Sequence, residues 1–316
     1  MNRFLCRRMC AWFGAACAAF VNPAGALAQS CTVSMTAVSF GNVNVLPGTA
    51  VDTTSTLTVT CSGGTGAGQR VCISIGAGSA GDATSRLMNG PGGSTARYDL
   101  YSDAARTTKW GSWQSGYDLA GVQLDVSKNS TTNVTVYARL LGSQQTDTPG
   151  SYASTFTSNP FIQYANKSGN TACPTGGLTA SSSTSVGATV TSNCSVSATN
   201  INFGTITMLT SNKDAQGALS IQCNSSLPYA ISLSGGNAAA TDPTKRKMAF
   251  GAANVTYGLY KDTGRSQAWG DSAGVNTSSG TGTGVAQNMN VYGRIAPQTT
   301  PRPGTYSDSI IATVSY

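Results

Sequence analysis

Tyr98-Asp-Leu-Tyr101-Ser-Asp103-Ala-Ala-Arg106-Thr-Thr-Lys-Trp110-Gly111 returns 159 residues later as Tyr257-Gly-Leu-Tyr260-Lys-Asp262-Thr-Gly-Arg265-Ser-Gln-Ala-Trp269-Gly270. A block this long, matched at seven positions, points to a duplicated domain. Working outward, further blocks match in the same order. Cys31-Thr-Val-Ser with Phe40-Gly41 matches Cys194-Ser-Val-Ser with Phe203-Gly204, and Leu57-Thr-Val-Thr-Cys61 matches Leu219-Ser-Ile-Gln-Cys223. Ile73-Ser-Ile75 matches Ile231-Ser-Leu233, Val136-Tyr-x-Arg139 matches Val291-Tyr-x-Arg294, and Pro149-Gly-x-Tyr152 matches Pro303-Gly-x-Tyr306. Several are runs of alternating apolar and polar residues, the period of a half-buried strand, while helix-period patterns are nearly absent. The chain is therefore expected to be all-β, with two tandem sandwiches. Asp103 and Asp262 are expected to serve a shared turn, and Trp110 and Trp269 to be core or turn anchors.

The boundaries follow from composition. Residues 1–28 open with Arg3, Arg7 and Arg8, continue in an apolar run and end at Ala26-Leu27-Ala28, which is the form of a secretory signal peptide. Residues 29–177 and 194–316 are read as the two sandwiches, and the Ser/Thr-rich stretch 178–193 as a linker or a closing strand. Removal of the signal takes three of 19 basic residues and leaves 16 against 12 acidic, or +4, which argues against a dedicated nucleic-acid binder. It also takes Cys6, Cys10 and Cys17, leaving six of nine cysteines in an oxidising compartment. The repeat suggests the disulfides Cys31–Cys61 and Cys194–Cys223, and elimination leaves Cys72–Cys173. A zinc site is the alternative, but the spacings match no zinc pattern and the chain has no His.

Taken together, these blocks resemble the spore coat protein U domain family, the pilin-like modules of archaic (Csu-type) chaperone–usher pili. The resemblance spans nearly all of residues 31–316, twice. It implies incomplete immunoglobulin-like (pilin-type) sandwiches and export to the periplasm by the Sec pathway. It further implies capture by a periplasmic chaperone, assembly through an outer-membrane usher, and completion of each groove by a strand from a neighbouring pilin.

Within that frame the chain departs from an ordinary fibre subunit. A donor strand needs about ten residues ahead of the first cysteine, since a strand rises only ~3.3 Å per residue, whereas the expected mature start leaves Gln29 and Ser30. The second sandwich is expected to be incomplete, its last strand running from Tyr306 to Tyr316, with Ile310, Ile311, Val314 and Tyr316 forming the edge that accepts a donor strand. In the first, Val186, Ala188 and Val190 alternate with small polar residues and offer an internal closing strand. This is the arrangement of a two-domain pilus tip adhesin at the cell surface, serving adhesion and biofilm formation.

Catalysis has little to stand on. Neither His nor Glu is present in the mature chain, so the commonest general base is missing, and no enzyme and no cofactor is expected. The Gly63–Gly68 run lacks the Lys-Ser/Thr of a phosphate-binding loop. For binding, the informative positions are those the first copy has and the second lacks: Leu87 and Met88 ahead of a Gly/Pro loop, and Trp113 with Tyr117 after Trp110-Gly111. Apolar loop tips on a secreted protein mark contact surfaces, here toward an abiotic or host surface. Phe156 and Phe161 read as strand residues packing inward. Two other readings are a lectin-like glycan-binding module and a non-fibrous envelope or coat protein.

Overall fold

The computed structural model describes residues 30–316 except 64–68, 83, 114–118, 146, 158–161, 169–170 and 174–179. The first copy contains β1 (Ser30–Met35), β2 (Val38–Val43), β3 (Val51–Ser62), β4 (Gln69–Ile75), β5 (Arg86–Asn89) and β6 (Thr95–Tyr101). It continues with β7 (Val122–Val126), β8 (Thr131–Leu140), β9 (Gly150–Phe156), β10 (Ile162–Ser168), β11 (Ala180–Ser182) and β12 (Thr184–Val190). These make an eight-stranded sheet, β1-β3-β8-β6-β5-β9-β12-β2, and a four-stranded sheet, β11-β10-β4-β7. Val33, Leu57, Val59, Ile73, Ile75 and Val136 are among the residues buried in one core cluster. Along β3 every second residue from Ser55 to Cys61 is buried, as the period of two requires.

The second copy contains β13 (Cys194–Ala198), β14 (Lys213–Cys223), β15 (Pro228–Leu233), β16 (Arg246–Phe250), β17 (Ala253–Tyr260), β18 (Ser278–Thr281), β19 (Gln287–Ile295) and β20 (Ala312–Ser315). They form a five-stranded sheet, β13-β14-β19-β17-β16, and a three-stranded sheet, β18-β15-β20. The chain is all-β.

The repeated blocks have physical causes in both copies. Trp110 and Trp269 are buried, and their indole N–H groups donate to the carbonyls of Ile73 (3.3 Å) and Ile231 (2.9 Å). The Asp103 carboxylate accepts the backbone N–H groups of Thr107 and Thr108, and Asp262 those of Ser266 and Gln267. In each case the carboxylate turns the chain through a left-handed Arg106 or Arg265. Arg139 pairs with Asp52 at 2.7 Å and Arg294 with Asp214 at 2.8 Å. Arg106 lies over the Tyr137 ring, and Arg265 over that of Tyr292. The arginine partners hold both carboxyls below the usual carboxylate range, Arg139 and Arg294 by direct hydrogen bonds.

All three expected disulfides are present: Cys31–Cys61, Cys72–Cys173 and Cys194–Cys223, with sequence separations of 30, 101 and 29. Two of them join directly opposed residues of antiparallel pairs, Cys31↔Cys61 and Cys194↔Cys223.

Candidate functional site

The two copies differ in how the larger sheet ends. In the first, β12 lies between β9 and β2, antiparallel to β9 (Val186↔Ser154, Ala188↔Tyr152, Val190↔Gly150) and parallel to β2 (Val186↔Val38, Val190↔Val43). The segment 178–193 thus supplies a sheet strand that drives Val186, Ala188 and Val190 into the core, at 0%, 7% and 2% exposure. In the second copy, where every residue is described, nothing occupies the corresponding place. The counterpart of β9, residues 304–310, makes a single strand bridge, between Ala249 and Ser307, the same contact that Asn89 and Ala153 make in the first copy. The counterpart of β2, residues 201–206, pairs with no strand.

What remains is an open groove of about 470 Å³, lined among others by Ile201, Phe203, Met248, Tyr306, Asp308 and Ile310. The burial of matched residues measures the opening. Val38, Phe40, Val43, Met88 and Tyr152 are buried, while Ile201, Phe203, Ile206, Met248 and Tyr306 are all partly exposed. The lining is mixed, with Thr199, Asn200, Asn202, Tyr257, Ser307 and Asp308 among its polar residues. The Tyr257 hydroxyl donates to Asp308 at 2.7 Å, and burial first, then this bond, raises the phenol well above its usual range. Arg246, fully buried, donates to the carbonyls of Leu233, Ser234, Pro243 and Trp269. Burial pushes its pKa down.

The expected acceptor edge needs correction. Ile310 lines the groove, but the last strand is only Ala312–Ser315, and it pairs with β15 in the smaller sheet. Val314 packs on the core cluster, whereas Ile311 and Tyr316 are exposed at 67% and 56% and lie outside the groove lining. The physical reason is that the chain between Tyr306 and Ala312 crosses from one sheet to the other, so it is no single strand.

The surface candidates also separate. Met88 is no loop tip. It lies on β5, fully buried, because adjacent strand residues point to opposite faces and Arg86 and Met88 share the inward one. Leu87, on the other face, is partly exposed. Trp113 is partly exposed; its backbone N–H donates to Ser74 Oγ at 2.8 Å, and its indole lies where a side chain on Gly121 would clash. Tyr117 falls outside the described residues, as does Phe161. Leu119, which the sequence reading passed over, is 48% exposed, its carbonyl accepting the Ser112 N–H at 2.8 Å.

The Spore Coat Protein U domain model matches residues 18–159 and again 180–313. The chain belongs to the Spore Coat Protein U domain (SCPU) family. Protein U of Myxococcus xanthus is similar to part of the chain, 28% identical over 128 residues, which is 37% of this chain and 71% of that protein. Among solved structures, the two SCPU copies together are similar to the CsuC–CsuE chaperone–tip adhesion subunit pre-assembly complex from archaic chaperone-usher Csu pili of Acinetobacter baumannii. That match has a TM-score of 0.54 and 17% identity, and covers 91% of this chain and 100% of that one. At this identity the likeness is one of fold. The CupB6 tip adhesin of Pseudomonas aeruginosa overlays more loosely, with a TM-score of 0.37 and 11% identity over 90% of this chain and 93% of that one.

Two features of the SCPU copies escaped the sequence reading. One is the buried arginine, Arg86 or Arg246, which ties each hairpin to the opposite sheet. The other is the near wall of the groove. Ile201, Phe203 and Ile206 repeat the spacing of Val38, Phe40 and Val43, and that match was the available signal.

Proposed function

We propose that this chain is a pilus tip subunit whose second SCPU copy is completed by a strand from another protein. A periplasmic chaperone supplies it first, and the neighbouring pilin supplies it after transfer at an outer-membrane usher. The observation that carries this reading is the contrast between β12, seated between β9 and β2, and the unfilled place between residues 304–310 and 201–206. An extended segment laid there satisfies free backbone groups and covers apolar side chains at once. A subunit with one open groove attaches through it and carries the closed sandwich outward. The fold likeness to a chaperone-bound tip subunit, over nearly the whole chain, supports the same arrangement.

Adhesion and biofilm formation are assigned to the outer sandwich. Its loop after Trp110-Gly111, with Trp113 and exposed Leu119, presents apolar surface that gains about 25 cal/mol per Å² removed from water. Many tips on one cell multiply a weak contact. The test is to express the chain with and without a chaperone–usher pair and to label assembled fibres. Label confined to distal ends, and loss of soluble protein without the chaperone, is the expected result. Label along the shaft, or undiminished accumulation of the protein in cells that lack the chaperone, contradicts it.

A further inference from the structure

The first SCPU copy carries a template for what fills the second, and the two grooves differ in charge at one inward position. Val186 of β12 stands opposite Ser154, which is fully buried. Pro149-Gly-x-Tyr152 and Pro303-Gly-x-Tyr306 align Ser154 with Asp308. The surroundings match as well. Tyr98 and Tyr257 are equivalent, and so are Gly78 and Gly236, both left-handed at φ 78° and 76°. A side chain on Gly78 would strike Ser154 Oγ, and one on Gly236 would strike the Asp308 carboxylate. At one structural position, then, the closed groove holds a neutral hydroxyl and the open groove a carboxylate.

Asp308 is not aimed away from the groove; it is part of the lining. Its Oδ1 accepts the backbone N–H groups of Asn237 (2.8 Å) and Ser309 (2.9 Å), and its Oδ2 accepts the Tyr257 hydroxyl. A carboxylate offers about four acceptor sites, so one is left on Oδ2. A strand seated as β12 is seated would cover that oxygen. A valine there removes water from a charged group and returns nothing, whereas a residue carrying a hydroxyl, amide or ammonium donor replaces the lost water.

We infer that Asp308 is a specificity-determining residue of the groove. It selects a strand with a hydrogen-bond donor at the position of Val186 and disfavours strands, such as this chain's own β12, that place an aliphatic side chain there. The inference rests on the strand-accepting reading of the groove. It gives the groove a means of refusing β12 from a second copy, which otherwise has the right apolar alternation.

The test uses the full mature chain, refolded by dilution from urea with a fluorescent peptide of residues 182–192 or the same peptide with Val186→Thr. The latter is near in volume and exchanges one methyl for a hydroxyl. Anisotropy titration should give the threonine peptide roughly tenfold tighter binding, the equivalent of one buried acceptor left unpaired. The chain variant Asp308→Ser should abolish that preference. Asp308→Asn, which keeps an amide oxygen for the Asn237 and Ser309 N–H groups but puts an NH2 donor in place of Oδ2, should reduce it. Equal binding of the two peptides to the unaltered chain, or a preference that persists in Asp308→Ser, overturns the inference while leaving the groove reading intact. Binding of neither peptide overturns both.

Discussion

Val38 and Ile201 stand at the same place in two copies of one pattern; the first is 1% exposed, and the second opens onto a groove. Nothing local separates them. Both follow a disulfide-bonded first strand, and both precede the same Phe-Gly pair. The difference is a strand of seven residues, Thr184–Val190, which lies far away in sequence and seats itself between β2 and β9. One copy is closed by its own chain, and its counterpart keeps the same walls without the filling. The lesson is that completeness here is a property of sheet topology, not of the recognisable domain motif.

The contrast can be broken most severely by making the first copy resemble the second. Replacing Val186 and Val190 by Asp places two charges in a dry core and should cost more than about 5 kcal/mol, enough to expel β12. Protease sensitivity should then appear in β2 and β9 while β14 and β19 are spared. Protection of β2 unchanged from the parent would deny β12 its closing role.

A nearly equal effect should come from the bond that only the first copy has. Cys72→Ser with Cys173→Ser releases a closure of 101 residues, which the chain-entropy model values at about 4.7 kcal/mol, against roughly 3.6 kcal/mol for the shorter closures. Urea unfolding monitored by hydrogen exchange should show the loss confined to the first copy.

A smaller, pH-dependent difference centres on Asp147. It is 6% exposed, and its Oδ2 has no hydrogen-bond partner among the described residues. Burial raises its pKa to about 6, partly opposed by Arg97. A carboxyl whose folded pKa lies above its unfolded one favours the folded state when protonated. Its contribution is therefore full below about pH 4 and is lost as pH rises through about 6. Asp147→Asn should stabilise the first copy by up to about 3 kcal/mol at pH 7.5 and by nothing near pH 4. The second copy, with Pro301 at the corresponding place, should melt identically in both proteins. A gain that does not vary with pH would refute the assignment.

Much of the fold was legible because the duplication supplied its own control. Cys31, Cys61, Cys194 and Cys223 could be paired by matching spacing, and Trp110 and Trp269 were anchors because both copies kept them. Less legible was everything that depended on which strands meet. The run from Tyr306 to Tyr316 reads as one strand, yet the sheets part within it, leaving Ile310 in the groove and Ile311 outside. Leu87-Met88 reads as a loop tip because Gly90-Pro91 follows closely, but Met88 packs inward on a strand, as the period of two allows. Asp308 looked like any polar strand residue until Ser154 was seen facing β12.

The central claim is that residues 201–206 and 304–310 are the two sides of one missing strand. Hydrogen exchange on the isolated mature chain, then on the same chain bound to a complementing strand, tests it most directly. The account predicts that amides of Ile201, Phe203 and Ile206 and of Tyr306, Asp308 and Ile310 exchange quickly in the free chain and become protected together on binding, while those of Val38–Val43 and Gly150–Phe156 are protected throughout. Slow exchange at those six amides in the free monomer would contradict it, since their backbone groups would already have partners.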